Sequence, residues 1–412
     1  MRILILHMRF HPDLTGTGPL VTDLATHLAA MGDEITVVTS MPHYCRRNVH
    51  SKYRGRLFHR ENFNGVDVWR TFVYVPPNSK GFYRGINYLS YTFMSIIAGL
   101  LSGSADAILC VNPPITVGFS GWLISLAHRS PMINNIQDIW PDCIAIIGQL
   151  RNKLLFRIFQ YLEKFIYKAS ARLILLSDGM KQNILSKGVN KNKIAIIPNW
   201  ADVDFIRPLP KNNGFRKAHG LNNNFVVMFA GNLGFISVLD TVLDAANLLQ
   251  KDARIQFVIV GEGNAKPALV KRASALKLNN VRFLSTQQKA VLPEMLAAAD
   301  ISLVTLDRRL GQLNVPSKTY NIMAGSRPVL AAVPENSEIA RLVKEADCGV
   351  CVPPEDPKSM AQAIKDMLSR PEALERYGKN GRKYVAENYS RDKLIRRYRE
   401  LLHEVSGLTL SA

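Results

Sequence analysis

The stretch VPSKTYNIMAGSRP, Val315–Pro328, decides the fold of this chain. The apolar run before it, Ile301–Leu306, predicts a buried strand, and Val329–Val333 predicts the next one. Between them, Pro316 and Ser317 suit the first turn of a helix. In α/β sheets this layout holds anions, because free backbone N–H groups and the positive end of a helix dipole meet there. An ordinary βαβ crossover has the same layout, so both interpretations stay open for this stretch alone.

Two glycine turns earlier in the second half favour the anion site. The turn GNLG, 231–234, follows the strand-like run Phe225–Ala230, and Gly261 follows the run Ile255–Val260. In a doubly wound domain these turns face the same carboxyl edge as the loop before Lys318, so we predict a nucleotide-diphosphate site there. The predicted donor-binding residues are Gly231, Asn232, Gly261, Glu262, Pro316 and Ser317, with Lys318 and Arg308 for formal charge.

The first half begins with a βαβ unit. Strand-like runs at Arg2–His7 and Glu34–Ser40 enclose an amphipathic helix at Pro19–Met31. The loop before that helix contains Gly16, Thr17 and Gly18, whose backbone can approach a ligand closely. The glycine spacing is not GxGxxG, and a serine stands where an NAD site needs an acid. We therefore predict a donor-contacting loop and not a dinucleotide site.

Asp138 is the candidate catalytic residue. It lies in QDIWPD, directly after the strand-like run Met132–Ile136, where parallel sheets place reactive groups. A carboxylate there can accept or position a hydroxyl proton. A helix cap or a turn would use an aspartate in the same place, so the role of Asp138 stays open.

Composition predicts two domains in a reducing compartment. The chain has 412 residues, a formal charge of +19 and five cysteines. The charge favours anionic partners such as nucleotides or an anionic membrane, and the odd number of scattered cysteines suits the cytoplasm. The CxxC at Cys348 and Cys351 lacks a second pair or a nearby histidine, and the DxD at Asp202 and Asp204 lies in a polar linker. We predict no metal site and no cofactor.

The segment Gly85–Leu101 is long and apolar but short for a membrane span. Lys80 and Arg84 precede it, and a cluster of cations that includes Arg46 and Arg47 lies upstream. The segment is either a buried core helix or a helix in the membrane interface with aromatic side chains at headgroup depth. The clustered charge makes peripheral membrane attachment the hypothesis to test.

Motifs along the chain resemble those of the family 4 glycosyltransferases of the GT-B fold. In order, they are the glycine loop after the first strand, IIPNWADVDFIRP, FAGNLGFISVLDTVLDAA, FVIVGEGNAKPAL, VRFLS, AAADISLV, PSKTYNIMAGSRPVLA and GVCVPPEDP. QDIWPD, PNWAD, GNLG and PSKTYNIMA resemble the bacterial exopolysaccharide and O-antigen subgroup, which includes colanic-acid-type enzymes. The resemblance implies two Rossmann-like α/β domains facing a cleft. We expect residues 1–200 to bind the acceptor, residues 201–387 to bind the nucleotide sugar, and residues 388–412 to form a helix that crosses back.

The resemblance also implies a retaining, metal-independent transferase. Its donor would be a UDP- or GDP-linked sugar and its acceptor a lipid-linked saccharide at the inner face of the cytoplasmic membrane. The family's acidic pair falls on Leu313 and Asn321, so of the two only Asn321, as a neutral group, remains a donor-binding candidate. Its usual cations at the diphosphate fall on Asn232 and Ser237. A GT-B sugar-nucleotide epimerase, or a basic nucleotide- or nucleic-acid-binding protein without catalysis, remains an alternative, although no nucleic-acid module is recognisable.

Overall fold

The structure is a computed structural model that describes residues 1–13, 16–43, 49–75, 81–148, 150 and 152–408. The cations Arg46, Arg47 and Lys80 lie outside the described residues. The chain forms two compact units, one comprising Met1–Pro198 with Ile395–Ala412 and the other Asn199–Leu394. The predicted fold class, two Rossmann-like α/β domains, is confirmed by the sheets of these units.

The first unit is a doubly wound domain. Its strands are β1 (Arg2–Leu6), β2 (Glu34–Ser40), β3 (Phe58–Phe63), β4 (Val66–Thr71), β5 (Ala107–Asn112), β6 (Met132–Ile136), β7 (Arg172–Leu175) and β8 (Ile194–Ile196). Its helices are α1 (Gly18–Ala30), α2 (Gly81–Leu101), α3 (Thr116–His128), α4 (Asp142–Ile146), α5 (Lys153–Ala169) and α6 (Asp178–Ser186). Strands β1 and β5 are buried almost throughout, which is why they read as continuous apolar runs.

The sheet of the first unit has the order β3-β4-β2-β1-β5-β6-β7-β8 among the described residues. Its pairs are parallel except β3 with β4. The chain winds outward from β1 in one direction and from β5 in the other. The topological switch point therefore lies between β1 and β5, and the loops that follow them share one carboxyl edge.

The antiparallel hairpin β3–β4 was not predicted. Its turn is Asn64–Gly65, and both residues have positive φ, at 49° and 81°. An Asn-Gly pair between strand-like runs is the strongest short-range signal for a type I′ hairpin, so the sequence did contain it. The hairpin also compensates part of the basic cluster, because Lys52 pairs with Glu61 at 2.7 Å and Arg60 pairs with Asp67 at 2.8 Å.

The second unit is also doubly wound. Its strands are β9 (Phe225–Ala230), β10 (Ile255–Val260), β11 (Val281–Leu284), β12 (Ile301–Thr305), β13 (Val329–Ala332) and β14 (Gly349–Val352). Its helices are α7 (Gly214–Ala218), α8 (Asp240–Leu248), α9 (Lys266–Ala275), α10 (Leu292–Ala297), α11 (Lys318–Ala324), α12 (Glu338–Glu345), α13 (Pro357–Leu368) and α14 (Pro371–Asn388). Among the described residues its sheet is entirely parallel, in the order β11-β10-β9-β12-β13-β14, with the switch point between β9 and β12.

The last helix, α15 (Arg391–Ser406), begins in the second unit and groups with the first from Ile395 onward. Within the first unit, its Tyr398 hydroxyl accepts a 2.7 Å hydrogen bond from the Asn135 side chain on β6. Arg399 pairs with the buried Asp33 carboxylate at 2.8 Å. These buried polar contacts tie the end of the chain to the first sheet.

The apolar helix α2 is partly a core helix. Tyr91 is fully buried, and its hydroxyl donates to the Val38 carbonyl at 2.8 Å. Tyr91 is one of the aromatic side chains that an interfacial helix would place at headgroup depth. For this residue the interfacial interpretation is wrong, because the side chain reaches the sheet. Among the described residues, no helix combines the length and hydropathy needed to cross a membrane.

Candidate functional site

Three loops meet at the carboxyl edge of the second sheet, as predicted. They follow β9, β10 and β12, which are neighbouring parallel strands. The Leu233 N–H donates to the Glu262 carbonyl at 2.9 Å, which ties the first two loops together. The Asp307 N–H donates to the Ile236 carbonyl at 3.0 Å, which ties the third to the first. The edge is therefore held in place by main-chain bonds at the switch point of the sheet.

Two of the glycines have backbone conformations that other residues rarely adopt, and one of them is also required by close backbone packing. Gly261 has φ +149°, and a Cβ built on it would overlap the carbonyl oxygen of Gly231. Gly231 has φ +151°, and a Cβ on it would lie 3.7 Å from Cδ of Lys318. Residues with side chains rarely adopt these φ values. At Gly261 a side chain would also lack the space, whereas the distance at Gly231 is an ordinary contact. The glycines thus let the loops approach one another and bring Lys318 up to the backbone.

Lys318 is the first residue of α11 and lies over the face of Phe229. Its Nζ is 3.4 Å from the ring centroid, a cation–π arrangement. Within the part of the chain that the structure describes, no carboxylate or other hydrogen-bond partner contacts this amino group. Burial of the amino group lowers the pKa of Lys318 to about 7, although part of the side chain stays exposed. An unpaired, desolvated amine beside two glycine turns is arranged to receive an anion.

The other predicted charges at this edge already have partners. The exposed Arg308 guanidinium pairs with Glu355 at 2.6 Å. The Glu262 carboxylate pairs with Lys266 at 2.6 Å. Both side chains are exposed and can exchange partners, so their donor-binding roles stay predictions. Of the two cations proposed for the diphosphate, only Lys318 has no competing carboxylate among the described residues.

The first turn of α11 starts two residues later than predicted. Ser317 is the N-cap and Pro316 precedes it, and their carbonyls accept from the N–H groups of Tyr320 and Thr319 at 3.2 Å. Asn321 lies half-buried one turn into the helix. Leu313 is buried, at 7% exposure, in the loop before the helix. Leu313 therefore packs inside that loop. The acid that the family has at this position would need a polar environment instead.

In the first unit, the predicted loop Gly16–Gly18 is held by a histidine that was not predicted. The buried His7 ring lies with Nδ1 2.8 Å from the Val111 carbonyl and Nε2 2.8 Å from the Thr17 hydroxyl. This network assigns a proton to Nδ1, and Thr17 then donates to Nε2. Burial lowers the pKa of His7 to about 4, so the ring is neutral at pH 7 and fixes the orientation of the Thr17 hydroxyl.

Gly16 lets this loop pass close to the Arg9 side chain. It has φ +61°, and a Cβ built on it would lie 2.6 Å from a terminal nitrogen of Arg9. The loop therefore passes directly over the Arg9 guanidinium. His43, after β2, lies near the charges of Arg9 and Asp13, and burial lowers the pKa of this imidazole. These groups form a polar cluster at the carboxyl edge of β1 and β2.

Asp138 follows β6 at the same carboxyl edge, in a half-buried position. The backbone N–H of Gln137 donates to the Asn112 side chain at 2.9 Å, which links the ends of β6 and β5. The next helix, α4, has Pro141 as its N-cap, so Asp138 is not the cap of that helix. Asp138 therefore does not cap α4, and its two other interpretations, a residue of the turn and a catalytic residue, stay open.

Sequence reasoning missed His7, Arg9 and His43. The available signal was positional: His7 directly follows β1, and His43 comes three residues after β2. Titratable side chains at the carboxyl ends of neighbouring parallel strands converge on one edge. That two strands are neighbours, however, is decided by the sheet order.

The DxD carboxylate of Asp202 has partners within the protein. Asp202 pairs with Arg391, and its other oxygen accepts from the Phe205 N–H at 3.0 Å. In the described ranges, no group of three or more His, Cys, Asp or Glu residues is placed to hold a metal ion. The DxD carboxylate thus has a structural role in its turn.

Comparison with known proteins identifies the family. The family described as glycosyl transferase 4-like domain matches residues 15–200, and glycosyl transferases group 1 matches residues 212–384. The two matches follow one another along the chain and cover both sheets. The chain belongs to these two-domain glycosyltransferases. Membership favours a transferase over a binding protein without catalysis.

Two bacterial glycosyltransferases are similar to this chain, and the name of one of them refers to colanic acid biosynthesis. The putative colanic acid biosynthesis glycosyl transferase WcaI of Escherichia coli K12 is 25% identical over 97% of this chain and 98% of its own. The probable glycosyltransferase WbjE of Pseudomonas aeruginosa is 28% identical over 71% of this chain and 70% of its own. The predicted resemblance to the polysaccharide subgroup, which includes colanic-acid-type enzymes, is confirmed.

Solved structures show the same GT-B fold. HepE of Anabaena in complex with UDP has a TM-score of 0.72 at 16% identity, covering 98% of this chain and 100% of HepE. WaaG, a glycosyltransferase involved in lipopolysaccharide biosynthesis, has a TM-score of 0.69 at 15% identity, covering 97% and 99%. At these identities the likeness concerns the fold, and the chemistry of this glycosyltransferase has to be argued from its own residues.

Proposed function

We propose that this protein transfers a sugar from a nucleoside-diphosphate sugar to a lipid-linked saccharide, with retention of the anomeric configuration and without a metal ion. The unpaired Lys318 amino group beside Gly231 and Gly261 carries the proposal. It lies at the switch point of a parallel sheet, where this class of fold binds nucleotides. The HepE structures with UDP and UDP-glucose support a donor of this class. The base, UDP or GDP, stays open.

Lys318 would act on the leaving group. Negative charge gathers on the diphosphate as the glycosidic bond breaks, and a preorganised cation there stabilises the transition state more than the ground state. The low polarity of its surroundings strengthens this interaction. Backbone N–H groups of the loop at Gly231–Asn232 can add hydrogen bonds. This arrangement supplies the positive charge that the proposed reaction needs from the protein itself.

Asp138 would act on the acceptor. In a retaining reaction the leaving phosphate can take the acceptor proton, so the carboxylate either orients the acceptor hydroxyl or removes its proton. Its place after β6 and the ordered polar groups of Asn112 and Gln137 support a positioned side chain. We further propose that the protein works at the cytoplasmic face of the membrane, where a lipid-linked acceptor would be presented.

Nucleotide binding tests the donor half of the proposal. We expect UDP or GDP, but not NAD, to raise the unfolding midpoint, and EDTA to leave the shift unchanged. At about 100 times Kd, binding stabilises a protein by roughly 2.7 kcal/mol, which moves the midpoint by several degrees. ADP and NAD serve as controls in the same thermal scan. Loss of the shift in EDTA would contradict metal independence, and no shift with either nucleotide would contradict the donor class.

Asp138→Asn tests the acceptor half. We expect turnover to fall by about 10²-fold or more, because positioned proton transfer contributes on the order of 10²–10⁴. The donor Kd should stay within about threefold, since the binding loops do not include Asp138. Asp142→Asn is the matched control, because that carboxylate pairs with Lys187 at 2.8 Å and should change turnover little.

The assay for this pair of variants uses a nucleotide sugar with a polyprenyl-diphosphate-linked saccharide. Product anomer, read by NMR, tests retention independently of either variant. Turnover of Asp138→Asn equal to wild type would remove this residue from the reaction. A product formed without acceptor, still bearing the nucleotide, would instead identify an epimerase.

A further inference from the structure

The outer face of α5 carries apolar and basic side chains together. Its exposed residues include an apolar stripe at helical spacing, with Tyr161 at 74% exposure the most prominent member. The stripe is Leu154, Ile158, Tyr161 and Phe165, with Leu155 beside it. The basic row is Lys153, Arg157, Lys164 and Lys168, all exposed. The spacing i, i+4, i+7, i+11 within the stripe places its members on one side of the helix.

This face of α5 has cations but no exposed carboxylate. The one acid in the helix, Glu163, is buried and accepts from Lys187 at 2.6 Å and from the Tyr167 hydroxyl at 2.9 Å. Among the described residues, the four basic side chains form no ion pair. The face therefore presents uncompensated positive charge next to apolar surface.

The exposed apolar surface continues across α3 and α2. Trp122 on α3 packs edge-on against Phe165, with ring centroids 4.8 Å apart. Leu126 on α3 is exposed, and on α2 the outward residues Leu89 and Phe93 are 62% and 66% exposed. Leu100 and Leu101 extend the same helix face, and Gly85–Leu101 contains no charged residue. Right-handed crossovers between β4, β5, β6 and β7 place all three helices on one side of the sheet.

A surface of this kind needs a partner, because soluble monomers rarely expose contiguous apolar patches of several helices. A second copy of this chain is disfavoured, since pairing the face with itself would bring the basic rows together without carboxylates to compensate them. An anionic bilayer matches both features: acyl chains receive the apolar stripe, and headgroup phosphates receive the cations. Interfacial helices have this combination of faces.

We propose that the outer face of α2, α3 and α5 is a docking surface for an anionic lipid membrane, with α5 supplying the electrostatic contact. The bilayer bound at this surface would present the lipid-linked acceptor of the proposed function, but the binding itself does not depend on catalysis. The main basic contact with the membrane is then α5, and not the cluster of cations upstream of α2 that the sequence suggested. Lys52 and Arg60 of that cluster are paired within the protein, whereas the cations of α5 are not.

Flotation with vesicles tests the proposal. The full-length protein should co-float with phosphatidylcholine vesicles containing phosphatidylglycerol at low salt, and weakly with phosphatidylcholine alone. Ile158→Glu with Tyr161→Glu should lower the partition coefficient at least about tenfold, because two carboxylates would enter the apolar region. Leu248→Glu with Val270→Glu, at exposed apolar positions of the second unit, is the matched control and should stay within about twofold.

A second pair of variants separates charge from apolar contact. Lys164→Gln with Lys168→Gln should weaken binding by on the order of tenfold or more with anionic vesicles only, since each cation contributes about 1 kcal/mol. Unfolding midpoints of all variants should match wild type within a few degrees.

Wild-type protein that does not float, or an α5 variant that floats like wild type, would overturn the proposal. A wild-type dimer in sedimentation that becomes a monomer in the α5 variant would also overturn the proposal, because it would assign the face to self-association. Nucleotide binding is read separately, so either proposal can fail alone.

Discussion

Replacing Lys318 by methionine is expected to weaken nucleoside-diphosphate binding by about 10- to 100-fold. A charged hydrogen bond contributes on the order of 1.5–3 kcal/mol, which corresponds to this range. Within the described part of the chain no carboxylate pairs with the Lys318 amino group, so its charge is available to the ligand. Calorimetry with the nucleotide that shifts the unfolding midpoint measures the effect. Turnover should fall further than affinity, because the leaving group gains charge in the transition state.

The same substitution should stabilise the free protein. The pKa of Lys318 is lowered to about 7 in the folded state, so between about pH 7 and its unfolded value of 10.5 the unfolded chain binds the extra proton. Stability therefore rises with pH through that window, and below it the full desolvation penalty remains. Removing the amine at pH 7 should raise the free energy of unfolding by on the order of 1–3 kcal/mol, reduced from the full shift because part of the side chain is exposed.

The pH dependence of binding separates this explanation from simple loss of packing. A bound anion favours the ammonium form, so nucleotide binding above pH 7 should take up a proton, and apparent affinity should decline as pH rises from 7 to 9. Calorimetry in buffers of different ionisation enthalpy measures the uptake, which Lys318→Met should abolish. The exposed Lys271→Met variant is the control, and Arg308→Gln, which removes the cation paired with Glu355, is the comparison between the two candidate cations. An Arg308→Gln effect as large as that of Lys318→Met would place the diphosphate elsewhere.

Gly261→Ala is expected to destabilise the second unit by about 3 kcal/mol or more. The added methyl group would overlap the Gly231 carbonyl oxygen, and φ +149° is unfavourable for alanine. Left-handed strain and overpacking each cost on the order of 1–3 kcal/mol. A unit of about 200 residues loses about 2–4 °C of Tm per kcal/mol, so the midpoint should fall by at least about 6 °C.

Gly220→Ala is the matched control for Gly261→Ala. Gly220 also has positive φ, at +59°, but the nearest atom to its built Cβ is an Arg282 nitrogen at 3.7 Å, an ordinary contact. It should therefore show the backbone strain of about 1–2 kcal/mol without the overlap. Equal losses in the two variants would mean that close packing of the loops is not the reason for the glycine. Gly261→Ala should also weaken nucleotide binding, because the shifted Gly231 loop would no longer approach Lys318.

The strands and the loops that end them could be predicted from the sequence alone. Buried parallel strands such as β9, β10 and β12 must be continuously apolar, so Phe225–Ala230, Ile255–Val260 and Ile301–Thr305 could be recognised locally. Gly231 and Gly261, directly after β9 and β10, then marked two of the loops that meet at one edge. The motif order likewise carried the family, which the comparisons confirmed.

Which charges and apolar side chains are available to a ligand or a partner depends on the tertiary structure. Arg308 and Lys318 look alike in the sequence, yet Arg308 pairs with Glu355, whereas Lys318 lies over Phe229 and has no ion-pair partner among the described residues. Partners distant in sequence therefore set the electrostatics. Tyr91 and Phe93 are two residues apart in one apolar helix, yet one reaches the sheet and the other faces outward. Burial and ion pairing depend on neighbours brought in by sheet order, and local patterns do not contain that order.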